Sequence, residues 1–179
     1  MGQTISKSDQ IIELALSYNY WLYGGYIRDS LTGDQFKDLD FGCSIEQSSS
    51  IPNFISKLKE SWQVEITFDS LRDTGSVYSS TIPFLRRIVK LDVEGLEVDI
   101  GVYTNIGDWM RGKTAADFTC NLFYKTKDIP MGIKFVPEGM SSNDILDMTK
   151  QKKCKVINGQ DEEIWRRRKS LVDRGWSVE

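Results

Sequence analysis

Two aspartates spaced by a single residue, Asp38 and Asp40, stand in the run Lys37-Asp38-Leu39-Asp40-Phe41-Gly42, shortly after the glycine pair Gly24-Gly25. Side chains alternate along an extended strand, so both acids project from one face while Leu39 and Phe41 project from the other. Carboxylates so placed can share a divalent ion or a pair of ions. The glycines end the apolar run Leu22-Tyr23, and without Cβ atoms they let the backbone turn sharply and aim N–H groups at phosphate oxygens. Arg28 lies in the short segment that follows. A further carboxylate, Asp99, sits between Val98 and Ile100 in a second alternating run, and completes a triad if that run lies beside the first; Glu97, on the same face, is the alternative ligand. Three carboxylates and two metal ions opposite a phosphate cradle fit in-line attack of a hydroxyl on the α-phosphorus of a nucleoside triphosphate, with release of pyrophosphate.

Composition narrows the chemistry. There is no histidine in the 179 residues, which excludes Ser-His and Cys-His nucleophile pairs and any histidine-bearing metal site. A metal must therefore be held by oxygen, which selects Mg²⁺ or Mn²⁺. Cys43, Cys120 and Cys154 lack CxxC spacing and are expected as reduced thiols. With 40% hydrophobic residues the chain can bury a core, and residues 1–179 are expected to form a single domain. No window approaches the apolar length of a membrane span and no secretory pattern opens the chain, so a cytoplasmic protein is expected. Met1-Gly2-Gln3-Thr4-Ile5-Ser6 also fits a myristoylation pattern at Gly2. A net charge of −3 argues against a molecule-wide clamp for nucleic acid, yet cations gather near the end, from Lys150 to Lys155 and from Arg166 to Arg174. They suit an RNA-contacting surface and equally a solvated helix face.

The positioning elements read as alternating helix and strand. A helix capped by Ser8 or Asp9 carries Ile11, Ile12, Leu14, Ala15 and Leu16 as its apolar stripe. Tyr20 to Tyr23 is a strand, Arg28 to Leu31 starts a helix that stops near Gly33, and Asp38 to Cys43 is a second strand. After Ser48-Ser49-Ser50 comes a helix burying Phe54, Ile55, Leu58 and Trp62, followed by a strand through Val64, Ile66 and Phe68. Asp73-Thr74-Gly75-Ser76 reads as a loop. Phe84 to Val93 and Leu96 to Tyr103 read as a hairpin turning at Glu94-Gly95. Helices are expected over Thr114 to Tyr124, Ser141 to Lys150 and Asp161 to Arg174.

GGYIRDSLTG followed by KDLDFG resembles the first motif of the tRNA nucleotidyltransferase and bacterial poly(A) polymerase group, in the DNA polymerase β-like nucleotidyltransferase superfamily. Asp117-Phe118-Thr119-Cys120-Asn121 is similar to the group's second motif, with Ala115-Ala116 where paired arginines are expected and Arg111 and Lys113 just upstream as substitutes. Glu162-Glu163-Ile164-Trp165-Arg166 resembles a segment in which an acid and an arginine present a base-like edge to the nucleotide. The resemblance implies an α+β head with a small mixed sheet flanked by helices, and residues 161–179 as a remnant of the neck helix. It implies Asp38, Asp40 and Asp99 as catalytic metal ligands. Nucleotide contacts fall to Gly24, Gly25, Arg28, Arg111, Lys113, Asp117, Asn121, Glu163 and Arg166. The implied partners are ATP or CTP and a tRNA or RNA acceptor, with an oligomer or partner protein supplying a missing body. The alternatives are a transferase acting on a protein or small molecule, and a non-catalytic binding module.

Overall fold

The computed structural model describes residues 6–74, 84–112, 117–157 and 162–179. Helix α1 (Lys7–Ser17) is capped by Ser6, whose Oγ accepts from the Asp9 amide at 3.2 Å. The cap therefore precedes both expected residues, which lie inside the first turn. Ile11, Ile12, Ala15 and Leu16 form the buried stripe. Strand β1 (Trp21–Tyr23) runs into α2 (Gly25–Thr32), which stops at left-handed Gly33 before β2 (Asp38–Ser44). A 3-10 turn over Ser48–Ser50 leads into α3 (Ile51–Lys59), which buries Phe54, Ile55 and Leu58; Trp62 packs half-buried just past its end. β3 (Val64–Asp69) is followed by α4 (Ser70–Thr74), so Asp73 and Thr74 are helical rather than looped, while Gly75 and Ser76 lie outside the described residues.

The hairpin of β4 (Leu85–Val93) and β5 (Leu96–Tyr103) forms as expected, with Glu94 and Gly95 both at positive φ (49° and 88°) in its tight turn. Then come α5 (Ile106–Arg111), β6 (Phe123–Lys125), β7 (Gly132–Ile133), α6 (Ser142–Lys150), β8 (Lys153–Cys154), α7 (Glu162–Asp173) and β9 (Ser177–Val178). A capping box between Ser141 and Asp144 starts α6.

Among the described residues the main sheet has seven strands in the order β3-β4-β5-β2-β1-β6-β7. Only β2 and β5 run parallel among its neighbours, so the sheet is mixed and flanked by helices, as the α+β expectation requires. On one face Leu39, Phe41 and Cys43 of β2 and Val98, Ile100 and Val102 of β5 join α1 and α3 in the main core. Each fully buried large side chain of this kind contributes about 1.5–3 kcal/mol. The opposite face carries Asp38, Asp40, Glu97 and Asp99.

The helix expected over Thr114 to Tyr124 is not formed in its described part. Phe118 is extended (φ −130°, ψ 151°) and bridges Val156, Thr119–Asn121 is a single 3-10 turn, and Phe123 to Lys125 pairs with β1 as a strand. The reason is burial on all sides: Asp117 to Cys120 and Leu122 to Tyr124 are buried almost without interruption, which a one-sided helix cannot provide. Thr114 to Ala116 lie outside the described residues.

The C-terminal segment packs against the preceding chain. Leu171 and Trp176 bury against Phe118, Cys120 and Cys154, and β9 pairs in parallel with β8. All three thiols are buried and unbridged. Among the described residues no helix is long and apolar enough to cross a membrane.

Candidate active site

The parallel register of β2 and β5 places Asp40 beside Asp99 and Asp38 beside Glu97. Directly opposed residues share a face, so Asp38, Asp40 and Asp99 converge, with one oxygen from each lying within 4.8 Å of the others. Leu39 and Phe41 are fully buried on the other side and prevent these strands from turning their acids elsewhere.

The convergence is electrostatically costly without a cation. Burial, then Asp38 and Asp99, push the Asp40 carboxyl up to about 8. Burial and the neighbouring Glu97 raise Asp99 to about 7 against the opposing pull of Lys90, its partner across the hairpin. Asp38 is likewise raised, by burial first and Glu97 second. Asp99 Oδ1 is buried without a hydrogen-bond partner. A hard divalent cation would satisfy that oxygen and relieve the mutual repulsion, so these residues fit Mg²⁺ or Mn²⁺.

Gly24 closes the cradle between β1 and α2. Its φ of 83° and ψ of −151° belong to a region that only glycine occupies readily, and a Cβ there would stand 2.9 Å from Asp40 Oδ2. The start of α2 can therefore approach the carboxylates closely. Arg28, one turn into α2, donates from Nε to Asp29 Oδ1 (2.9 Å) and from Nη1 to Asn121 Oδ1 (2.9 Å). Asn121 in turn donates to Asp117 Oδ1 at 2.9 Å. The two residues expected to share a helix face thus meet across an irregular turn instead.

Gly24, Gly25, Arg28, Asp38, Asp40, Asp117 and Asn121 line one cleft of 410 Å³. A hollow of 500 Å³ between α1, α2 and the β6–β7 connection shares no residue with it and is lined largely by apolar groups such as Ile12, Leu16 and Met131. Three expected contacts stand elsewhere. Arg111 is exposed and bonded to Asp108 (2.7 Å), and Glu163 and Arg166 are exposed and bonded to each other (3.0 Å); none of them lines the cleft. Lys113 lies outside the described residues.

In place of Arg166, α7 presents Arg167, Ser170, Leu171 and Arg174 to the cleft. Arg167 Nη1 donates to Asp117 Oδ2 at 2.6 Å, and Arg174 Nη2 to Asp29 Oδ1 at 3.0 Å. The sequence held a signal for this phase. Leu171 is the buried residue of a charge-rich helix, and positions four before and three after it share its face. Lys134 and Trp109 also line the cleft and carried no such signal, since Lys134 follows a two-residue strand of no periodic pattern.

No sequence-family profile and no curated protein sequence matches the chain. Solved structures do. A CCA-adding enzyme in an apo form superposes with a TM-score of 0.57 at 15% identity, over 98% of this chain and 40% of that one. The Thermotoga maritima CCA-adding enzyme complexed with tRNA gives 0.59 at 16% identity, over 95% of this chain and 38% of that one. A CCA-adding enzyme in complex with CTP gives 0.51 at 14% identity, over 95% and 38%. The fold is that of the CCA-adding nucleotidyltransferase head. This chain spans about two fifths of the length of those enzymes, and the likeness at such identities is one of fold.

Proposed function

We propose that this chain is a metal-dependent nucleotidyltransferase that transfers a nucleoside monophosphate from ATP or CTP to a hydroxyl at the 3′ end of a tRNA or another RNA. The observation that carries the reading is the convergence of Asp38, Asp40 and Asp99, the first two of which line a glycine-walled cleft. Asp38, Asp40 and Asp99 would hold Mg²⁺ or Mn²⁺. Such ions, when bound, acidify the attacking hydroxyl and stabilise charge on the phosphoryl oxygens. Gly24 and Gly25 admit the triphosphate close to the carboxylates, and the positive end of α2 faces it. Arg28, fixed from two sides by Asp29 and Asn121, offers a preorganised charge at the cleft wall. Asp117 and Asn121, which line the same cleft, would orient the sugar.

A second reading is favoured by the sheet register. Asp38, Glu97, Asp92 and Glu65 stand opposite one another on four successive strands, so an acidic row runs from the cleft toward the β3 edge. That row repels a nucleic-acid backbone approaching across the sheet and suits a cationic small-molecule acceptor.

The test is incubation of the purified chain with α-labelled ATP and CTP, Mg²⁺ or Mn²⁺, and bulk tRNA or a panel of small polyamine-bearing alcohols. Label on RNA supports the first acceptor and label on the alcohols the second. If wild type and Asp38→Ala transfer equally little to every acceptor, the transferase reading fails.

A further inference from the structure

Lys134 lines the cleft without a carboxylate partner among the described residues. Its Nζ donates to the Gly112 carbonyl (3.1 Å) and lies 4.6 Å from the centroid of the Trp109 ring. No carboxylate among the described residues pairs with it, and the neighbouring residues 113–116 (Lys-Thr-Ala-Ala) include no acid. Each arginine of the cleft is bonded to a carboxylate: Arg28 and Arg174 to Asp29, Arg167 to Asp117. Lys37 is exposed at the rim, next to Asp38.

This lysine is also held in place. Trp109 is wedged among the rings of Trp21, Tyr23 and Tyr124, at centroid distances of 5.6, 5.3 and 5.7 Å, so the surface under the ammonium cannot turn away. The Lys134 amide bonds the Leu122 carbonyl at 2.8 Å and fixes the backbone. An ammonium has three donors, and the Gly112 carbonyl uses one. Burial lowers its pKa to about 8, so the group is desolvated and still charged at neutral pH. A fixed, partly desolvated cation without an anion gains its missing partner when an anionic ligand arrives, so its stabilisation is expressed on binding.

We infer that Lys134 is a phosphate-binding residue, whose two free donors take non-bridging oxygens of the nucleoside triphosphate across the cleft from Asp38 and Asp40. The inference rests on the nucleotidyltransferase reading of the same cleft and adds the residue that grips the substrate's phosphates. Trp109 and the Gly112 carbonyl are positioning groups that keep the ammonium aimed.

Equilibrium binding of ATP and CTP, and separately of adenosine and cytidine, is measured with Mg²⁺ for the full chain and for Lys134→Met. The variant is expected to bind both triphosphates about 10- to 100-fold more weakly, as for loss of a charge-assisted bond, and both nucleosides unchanged. Triphosphate binding within twofold of wild type overturns the inference, and so does an equal loss for nucleosides, which would mark Lys134 as a packing residue. A second measurement needs no variant. Wild-type protein is treated with an amine-acylating reagent, and modification of Lys134 is followed by mass spectrometry. ATP must slow it at least about fivefold while adenosine does not, as expected when a bound phosphate covers the amine; equal rates overturn the inference. The two proposals fail separately. A protein that transfers label but binds ATP normally as Lys134→Met refutes the role of the lysine alone. One that binds ATP through Lys134 and transfers nothing refutes the transferase alone.

Discussion

Asp40→Asn should stabilise the metal-free protein while abolishing its activity, and the stabilisation should depend on pH. Folded Asp40 keeps its proton up to about 8 because burial and the Asp38 and Asp99 charges oppose ionisation, whereas in the unfolded chain it ionises near the ordinary 3.8. Between those values the folded state binds more protons than the unfolded state, so stability falls as pH rises through the window. Holding a proton at pH 7 on a group of ordinary value 3.8 costs about 4 kcal/mol, at roughly 1.4 kcal/mol for each pH step. Side-chain relaxation and water entry reduce this to about 1–3 kcal/mol in practice. Asparagine has the shape of the neutral acid and does not bear that cost. The variant in EDTA should therefore melt about 3–10 °C higher at pH 7, and the difference should shrink to about a third or less at pH 4.5. In saturating Mg²⁺ the same variant should lose at least about 100-fold in nucleotidyl transfer. Scanning calorimetry across pH in EDTA, paired with the transfer assay, reads both. Equal destabilisation at both pH values would refute the reasoning, since it would mean that Asp40 is a structural hydrogen-bonding group and not one member of a repelling triad.

Gly24→Ala should cost about 1–3 kcal/mol through its positive φ and also displace the Asp40 carboxylate 2.9 Å from the new methyl. The melting temperature and the transfer rate should fall together, and full activity in a folded variant would count against the close approach. Arg167→Met leaves Asp117 buried without its 2.6 Å partner and should lower stability by about 1–2 kcal/mol, while Arg166→Met on the exposed face should change it by less than about 0.5 kcal/mol. Urea midpoints for the pair test the helix phase directly. Mg²⁺ or Mn²⁺ should raise the wild-type melting temperature by a few degrees by relieving the carboxylate repulsion. Thermal shift of Asp38→Asn should show less than half that response, and an equal response would place the ion elsewhere.

The carboxylate half of the candidate site was legible because it is written in local periodicity. Asp38, Leu39, Asp40 and Phe41 alternate, as do Val98, Asp99 and Ile100, and alternation fixes which face each side chain takes once a core claims the apolar set. Arg166 is the position that the resemblance to an acid-x-x-arginine segment implies, and nothing local in the run Arg166-Arg167-Arg168 points to Arg167 instead. The phase of α7 is decided by Leu171, which must bury against Phe118 and Trp176. The supposed helix over Thr114 to Tyr124 failed for a related reason. Its described residues, from Asp117 onward, are buried from several sides by strands and by the C-terminal segment, and that demand overrides helical spacing.

The sequence by itself determined the alternating strands, the glycine junction and the pair Asp38 and Asp40, since these depend on backbone geometry within a few residues. Only the tertiary structure decided that β5 lies parallel to β2 and brings Asp99 to Asp40, that Arg111 turns to Asp108, and that Lys134 stands over Trp109 with no carboxylate partner among the described residues. Those are contacts between segments distant in the chain, and they are set by which apolar faces pack together and not by any local preference.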